Sequence, residues 1–360
     1  MEKIEFQLYD WLEGHTDNTV ESDCEEDLPG EFIIHSFGRC IDGKSVYAKI
    51  INYTPYFYIL LPQKLQSKSR KDLEIIVKKM EVFLKSNKSV KINYKFKTTL
   101  KEAQLIKMKR AEGFTNGTEF WFVRLVFNSA EGMKKYKYYL ENNEINITTI
   151  FELLKPIKFK LYEANLPPMF RCFHIRDITG CAWVEVNKYI SITDEEEKES
   201  RCDIEIIVDW RNVIPITKDC NAPFKICSFD IECTSIDGEF PQAKRPGDQI
   251  IQIGATYNYI GTSTPFRQYI ACLNDTAKIN NVIVESCETE RDLLLNFLEE
   301  INNNDCDIIT GYNIFFFDEK YMYDRCKHIL QIDIDMSYMS KLKNHSCNFK
   351  EMKLSSSALG

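Results

Sequence analysis

The sequence predicts a mixed α/β protein in which a β-rich first part is followed by a domain built on an α/β sheet. Two observations carry this prediction. Strand patterns separated by turn residues dominate up to about residue 215, and beyond it strand patterns alternate with helical ones. At 360 residues the chain is long enough for two domains with cores of their own. We divide it into an acidic segment, 1–30, a first domain, 31–215, and a second domain, 216–360.

The composition is that of a globular protein, with 44% hydrophobic and 12% aromatic residues. The 13 cysteines are odd in number and form no CxxC pair, which argues against a disulfide framework and against a zinc site. The first residues are acidic and lack an apolar segment, so no signal peptide is expected. No stretch approaches the roughly 20 apolar residues of a membrane span, so no membrane partner is expected. We predict a soluble intracellular protein with free thiols.

Charge is unevenly distributed along the chain. Residues 1–30 hold ten acids and one lysine, whereas residues 61–110 hold fifteen Lys and Arg against four acids. A concentration of positive charge of this kind attracts a phosphate backbone, and a solvated protein surface is the alternative. If the stretch follows phosphates, neutralising Lys95, Lys97 and Lys101 should weaken the salt dependence of DNA binding.

The first domain is predicted from turns and periodicity. Residues 31–62 form a hairpin-like pair of strand patterns around the turn Ile41-Asp42-Gly43-Lys44. A helix over 70–86 is indicated by apolar residues at helical spacing: Leu73, Ile76, Val77, Met80 and Leu84. A strand, 119–127, and a helix, 130–142, follow. Residues 193–201 form an acidic loop, and residues 213–224 resemble a linker because they contain two prolines and no periodicity.

The second domain begins with strand patterns at 224–233, 247–261 and 265–273. Thr289 is a predicted N-cap of a helix whose apolar face is formed by Leu294, Phe297, Leu298 and Ile301. A short strand then ends at Gly311, and helical spacing resumes over 317–330. In such a mixed sheet, functional groups gather at the strand ends and in the loops that follow them.

Three carboxylates lie at such positions. The strand "FKICSFDIEC" ends in Asp230 and Glu232, which share one face because side chains alternate along a strand. Two like charges at this separation require a cation or a proton between them. Asp318 follows the short strand across a loop. Considered alone, Asp318 could cap a helix, and Asp230 and Glu232 could face solvent. Together, the three carboxylates suit Mg²⁺ or Mn²⁺, which prefer carboxylate oxygens as ligands.

The sequence around these acids resembles family B DNA polymerases. "FDIEC" resembles their first exonuclease motif, and "GYNIFFFDEKYMYDR" resembles the second. The flanking segment "FPQAKRPGDQIIQIG", the segment "KLYEANLPPMFRCFHIRDITGCAWVEV", "INYTPYFYILLP" and the closing "LSSSALG" are similar to the delta-type catalytic subunit and to its relatives in large DNA viruses. The similarity extends over about 30–360, and several motifs in the same order are far more specific than one.

The resemblance implies a family B N-terminal domain followed by a ribonuclease-H-like 3′→5′ exonuclease domain. Asp230, Glu232 and Asp318 would be catalytic and bind two ions, Mg²⁺ or Mn²⁺, with Asp230 bridging them. Tyr312 and Asn313 would contact the single-stranded 3′ end of DNA, and Phe317 would pack the loop that places Asp318. For Tyr312 and Phe317, the alternative of ordinary core aromatics stays open.

The implied function is proofreading in a replicative polymerase, at the nucleus or a viral replication site. The implied partners are the primer 3′ end, the remainder of the polymerase if it is encoded separately, and a sliding clamp as a further candidate. The family's third motif, a tyrosine and an aspartate four residues apart, has no counterpart after Asp318. We therefore expect an incomplete exonuclease domain that is weak or inactive in isolation. The alternative function is binding of single-stranded DNA or template without hydrolysis.

Overall fold

The computed structural model of the protein describes residues 3–16, 30–86, 88, 90–110, 112–332 and 339–343. The first eight strands are Ile4–His15 (β1), Phe32–Cys40 (β2), Ser45–Ile51 (β3), Tyr56–Leu60 (β4), Leu100–Lys109 (β5), Glu119–Phe127 (β6), Leu161–Tyr162 (β7) and Trp183–Val186 (β8). The other eight are Tyr189–Ile192 (β9), Ile204–Asp209 (β10), Val213–Ile216 (β11), Lys225–Cys233 (β12), Ile250–Tyr259 (β13), Arg267–Leu273 (β14), Ile283–Cys287 (β15) and Ile308–Thr310 (β16). The helices are Arg70–Ser86 (α1), Tyr94–Lys97 (α2), Ala130–Asn142 (α3), Thr148–Phe151 (α4), Pro168–Ile175 (α5), Glu290–Asn304 (α6) and Asp318–Arg325 (α7). The predicted mixed α/β fold class is confirmed.

A seven-stranded sheet in the order β11-β8-β1-β2-β3-β10-β9 contains most of the first part of the chain. The predicted hairpin is confirmed: β2 and β3 pair antiparallel, and Gly43 takes a positive φ of 90° in the turn between them. The segment following β3 does not extend the hairpin, because β4 belongs to a different sheet.

Two segments that were assigned other roles, the acidic segment and the linker, contribute strands to this sheet, and β8, β9 and β10 were not predicted either. Residues 1–30 were expected to be a separate acidic segment, yet β1 lies between β2 and β8 because Phe6 and Leu8 are buried in the core. Residues 17–29 lie outside the described residues. The expected linker at 213–224 begins with β11, which pairs with β8 as an edge strand. Its Pro215 is tolerated there because an edge strand does not need every N–H.

A four-stranded antiparallel sheet, β5-β6-β4-β7, packs against α1 and α3. The chain order of these elements is β4-α1-β5-β6-α3-β7. Both helices occupy the ranges predicted from the sequence, and the apolar positions Leu73, Met80 and Leu84 of α1 are fully buried in this core. Burying one such side chain contributes about 1.5–3 kcal/mol.

The third sheet has the order β15-β14-β13-β12-β16. β12 pairs antiparallel with β13 and parallel with β16, so the two segments that carry the predicted acids lead to the same end of the sheet. The Thr289 hydroxyl accepts a hydrogen bond of 3.1 Å from the Asp292 N–H, which confirms the predicted N-cap of α6. The predicted apolar face of α6 is buried against the sheet, with Phe297 5.4 Å from the ring of Phe229. β15, a half-exposed edge strand, was missed.

A buried charge network joins the first and third sheets. The Arg39 guanidinium near the end of β2 donates to the carboxylates of Asp305 and Asp307, which precede the start of β16 at Ile308. Lys341 donates to the same two carboxylates at 2.7 and 2.9 Å. Burial opposes ionisation of Asp305, but Lys341 and Arg39 hold its pKa below the ordinary value. The network therefore fixes the edge strand β16, and with it the loop that leads to Asp318, against β2.

In the part of the chain that the structure describes, no helix has the length and apolar character of a membrane span.

Candidate functional site

Strand β12 places Asp230 and Glu232 on its exposed face. Burial alternates along the strand end: Phe229 and Ile231 are in the core, and the two acids between and after them are exposed. The residue opposite Asp230 on β13 is Gly254. A Cβ atom on Gly254 would meet no atom within 4 Å, so the space beside the Asp230 carboxylate is open to a ligand.

Asp318 reaches the same strand from the first position of α7. Its Oδ1 atom accepts a hydrogen bond of 3.1 Å from the backbone N–H of Ile231, and the side chain is only 2% exposed. The capping alternative is wrong, because the residue at the N-cap position is Phe317, which makes no side-chain capping bond. The Asp318 carboxylate is thus held at the strand between Asp230 and Glu232.

The electrostatics of Asp318 follow from this position. Burial raises the pKa of its carboxyl, the hydrogen bond from Ile231 opposes the rise, and the charge of Asp230 together with a hydrogen bond between the two carboxyl groups adds to it. The pKa of Glu319 is also raised, by burial and then by the charge of Asp318. Within the described ranges neither Asp230 nor Asp318 forms an ion pair with a Lys, Arg or His side chain. Two adjacent carboxylates therefore share a site that no basic side chain neutralises there.

The site offers carboxylate oxygens as donors for a divalent ion. No group of three His, Cys, Asp or Glu side chains in the described residues is close enough together to hold a metal. The structure brings Asp230 and Asp318 together, and Glu232 lies two positions further along the same face without joining them in such a group. Mg²⁺ commonly takes one or two carboxylates and fills its remaining positions with water and substrate phosphate. The adjacent pair fits such an ion, and all three residues remain predicted ligands.

The loop before Asp318 is held by Asn313 and Phe317. Asn313 adopts a left-handed φ of 58°, and its carbonyl accepts hydrogen bonds from the N–H groups of Phe316 and Phe317 at 3.1 and 3.2 Å. The Phe317 ring lies between the rings of Phe240 and Tyr321, with centroid distances of 5.2 and 5.3 Å. This packing anchors the residue immediately before Asp318.

Exposed aromatic side chains surround this loop. Tyr312 is 92% exposed, so the alternative that it is a core aromatic is wrong. Phe316 is 83% exposed, and Phe315 and Phe240 are exposed as well. Phe315, Phe316 and Phe240 were not among the residues predicted from the sequence to contact DNA. The signal was available, because only one ring of the run Phe315–Phe317 can face the core when the loop is this short.

Residues 234–249 form a loop that places Phe240 beside Phe317. Its anchor is the fully buried Asp248, which accepts hydrogen bonds from the N–H groups of Ile236 and Gln242 and from Arg245. Burial opposes ionisation of Asp248, but these donors hold its pKa below the ordinary value. The Tyr321 hydroxyl of α7 donates to the Asp248 carbonyl at 2.9 Å, which ties the loop to the helix that carries Asp318.

The expected lack of a third motif after Asp318 concerns a stretch of which much, 333–338 and 344–360, lies outside the described residues.

Known proteins similar to this chain are DNA polymerases. The model of a family described as DNA polymerase family B, exonuclease domain, matches residues 159–358. The DNA polymerase of Acanthamoeba polyphaga mimivirus is 35% identical over 338 residues, covering 92% of this chain and 18% of that protein. The DNA polymerase delta catalytic subunit of Dictyostelium discoideum is 27% identical over 330 residues, covering 91% of this chain and 29% of that protein. The chain thus spans less than a third of the length of either relative.

The fold is similar to that of a solved structure. The family B DNA polymerase from the hyperthermophilic archaeon Pyrobaculum calidifontis matches with a TM-score of 0.55 and 17% identity, covering 91% of this chain and 32% of that one. At this identity the likeness concerns the fold.

Proposed function

The chain belongs to DNA polymerase family B through its exonuclease domain, and we propose that this domain hydrolyses the 3′-terminal phosphodiester of single-stranded DNA with the help of divalent ions. The observation that carries the proposal is that the Asp318 carboxylate accepts the Ile231 N–H bond and lies next to the Asp230 carboxylate. Two carboxylates with no basic partner in the described residues are the donors that a hard cation requires.

Asp230, Asp318 and Glu232 would hold the two ions, Mg²⁺ or Mn²⁺. Such ions supply a Lewis acid that stabilises negative charge on the scissile phosphate. Asp318 contributes a fixed position, since the Ile231 N–H orients one of its oxygens and burial prevents the side chain from turning towards solvent. Asp230 contributes an exposed carboxylate beside the open space at Gly254, where a terminal nucleotide could approach.

The exposed aromatic residues would hold the DNA strand. Bases of any sequence stack on aromatic rings, with about 1–3 kcal/mol per base, which suits an enzyme that must accept every 3′ end. Tyr312 and Phe316 present such rings next to the Asp318 loop, and Asn313 lies between them. Phe317 keeps the loop in place through its contacts with Phe240 and Tyr321.

Replicative proofreading follows from the same proposal. We propose, from the resemblance alone, that the domain works with a polymerase core and with a sliding clamp, at the nucleus or a viral replication site. These partners and locations come from the resemblance and not from the geometry of the site.

A second candidate is binding of single-stranded DNA without hydrolysis. It is favoured by the finding that no three ligand side chains come together within the described ranges. The exposed rings of Tyr312 and Phe316 would serve this function equally well.

The two candidates can be separated with the 360-residue chain and a single-stranded oligonucleotide labelled at its 3′ end. The exonuclease proposal predicts release of the label in Mg²⁺ or Mn²⁺, slow for the isolated chain, that stops with EDTA and with Asp230→Asn. The binding alternative predicts affinity that survives EDTA and no release in either metal. Asp194→Asn, in the acidic loop of the first domain, is the matched control for loss of one exposed carboxylate.

A further inference from the structure

A cleft between α2 and α3 lies on the helical side of the four-stranded sheet. Its volume is about 430 Å³, and its walls include Lys91, Asn93, Phe96, Lys135, Tyr138 and Asn143. None of its lining residues belongs to the third sheet, so it is separate from the carboxylate site.

Aromatic rings and ammonium groups are interleaved in this cleft. The Lys95 and Lys135 ammonium nitrogens each lie 5.4 Å from the centroid of the Phe96 ring, one from α2 and one from α3. Tyr138 on the rim is 71% exposed, and Tyr94 next to the cleft is 76% exposed. Large aromatic side chains with this exposure on one small surface indicate a ligand with flat, stackable groups.

The lysines of the basic stretch 61–110, together with Lys135 of α3, include two contrasting sets. Some are neutralised by acids: Lys78 and Lys85 by Glu81, and Lys68 by Glu152. Lys97 is buried, so the expectation that it contacts phosphates is wrong.

The lysines at the cleft form the second set. Lys91, Lys95 and Lys135 make no ion pair with an acid among the described residues. Positive charge without acidic partners, placed beside exposed rings, complements a polymer of bases and phosphates.

The walls of the cleft are fixed before any ligand arrives. Asn93 caps α2 by accepting a hydrogen bond of 3.0 Å from the Lys95 N–H. Thr99, just after α2, lies against Gly132 of α3 so closely that a Cβ atom on Gly132 would overlap the Thr99 hydroxyl. A rigid, preformed cleft loses little conformational entropy when it binds.

We propose that this cleft binds unpaired nucleotides of single-stranded DNA, with a base stacked on Tyr138 and the adjoining phosphates next to Lys91 and Lys135. The inference rests on the proposed function only in the choice of DNA as the nucleic acid. The cleft would give the single-stranded DNA a second contact. This contact lies on the first domain, away from the site of hydrolysis.

The test measures binding of a fluorescein-labelled oligo-dT to the full chain by anisotropy, in EDTA, at several salt concentrations. Lys91→Gln with Lys135→Gln should reduce the magnitude of the log–log salt slope by about 1.4, since each phosphate contact on a single strand contributes about 0.7. Tyr138→Ala should weaken binding roughly 5-fold to 100-fold at an unchanged slope, because it removes stacking and no charge.

Lys71→Gln with Lys79→Gln is the matched control. It removes the same charge from exposed positions of α1 that do not line this cleft, and should leave the slope within experimental error. An equal fall of the slope in both double variants, or an unchanged affinity in Tyr138→Ala, would overturn the proposal. The cleft variants are compared in EDTA, where no hydrolysis occurs, and the exonuclease proposal is read from release of a 3′ label in Mg²⁺ or Mn²⁺, so failures of the two proposals give different results.

Discussion

The Asp318 carboxylate accepts a hydrogen bond of 3.1 Å from the Ile231 N–H, across 87 residues of sequence. Ile231 is the residue between Asp230 and Glu232, so one backbone bond fixes the third acid against the strand that carries the other two. The site therefore depends on the position of the α7 start relative to β12.

Asp318→Asn should stabilise the protein at neutral pH. A carboxyl whose pKa is raised in the folded state contributes stability that is fully present below its ordinary pKa of 3.8 and is lost as the pH rises through the raised value. Asparagine keeps the acceptor for the Ile231 N–H and removes the buried charge. Thermal unfolding at pH 7 should show a Tm higher by roughly 2 °C. The gain should vanish below about pH 4, where wild-type Asp318 is protonated. A variant less stable than wild type at pH 7 would contradict the electrostatic account.

Gly311→Ala should move strand β12, which carries Asp230, away from the loop that leads to Asp318. A Cβ atom at Gly311 would lie 2.5 Å from the carbonyl oxygen of Phe229, the residue before Asp230. Backbone this close must shift, at a cost of about 1–3 kcal/mol, and the shift separates β12 from the loop that leads to Asp318. The variant should lose nuclease activity more completely than it loses stability. Gly180→Ala, where a Cβ meets nothing within 4 Å, is the control. Full nuclease activity in Gly311→Ala would show that activity does not depend on the spacing between β12 and the loop that leads to Asp318.

Much of the local structure was accessible from the sequence because it is encoded locally. The bounds of α1 and α3 follow from apolar spacing, and the start of α6 follows from the Thr289 cap. The alternation that exposes Asp230 and Glu232 is a property of any strand with one buried face.

The remainder depends on contacts between distant segments. β1 was missed since its acids masked the alternation of Phe6 and Leu8, and β11 was missed since Pro215 suggested a linker, although an edge strand accepts it. The division of the strands into three sheets is set by long-range pairing that periodicity does not encode. For the same reason, the bond from Ile231 to Asp318 has no signal in the sequence.

Arg39→Met should destabilise the junction between the first and third sheets. The change leaves the buried Asp307 with Lys341 as its remaining basic partner, and loss of one member of a buried ion pair costs about 3 kcal/mol. The contribution of Asp305 to stability is present above its ordinary pKa and is lost as the pH falls through its lowered pKa, so the deficit of the variant should shrink in acid.

Denaturant unfolding at pH 7 and at about pH 3 measures both effects. The control is Arg211→Met, which removes an exposed ion pair with Asp209 and should change the free energy of unfolding by less than about 1 kcal/mol. Equal losses of unfolding free energy in Arg39→Met and Arg211→Met would show that the buried charge network contributes no more to stability than a surface ion pair.

Tyr312→Ala and Phe316→Ala should weaken binding of a single-stranded oligonucleotide, each by about 10-fold, because each removes a stacking surface worth about 1–3 kcal/mol. Anisotropy in EDTA measures this without cleavage. Phe170→Ala removes an exposed ring from α5 and should have no effect. Unchanged affinity in both Tyr312→Ala and Phe316→Ala would show that the DNA does not bind at the loop before Asp318.

The most direct test of the metal site is a titration of the chain with Mn²⁺. The electron paramagnetic resonance signal of the free ion measures how much Mn²⁺ remains unbound. The account predicts saturable binding by the wild type that is lost in Asp230→Asn and in Asp318→Asn, and that is retained in Asp194→Asn, a loop acid remote in sequence from the site. Thermal unfolding of the same samples should show that Mn²⁺ raises the Tm of the wild type and not that of the two site variants. Equal Mn²⁺ binding by all four proteins would contradict the assignment of Asp230 and Asp318 as metal ligands.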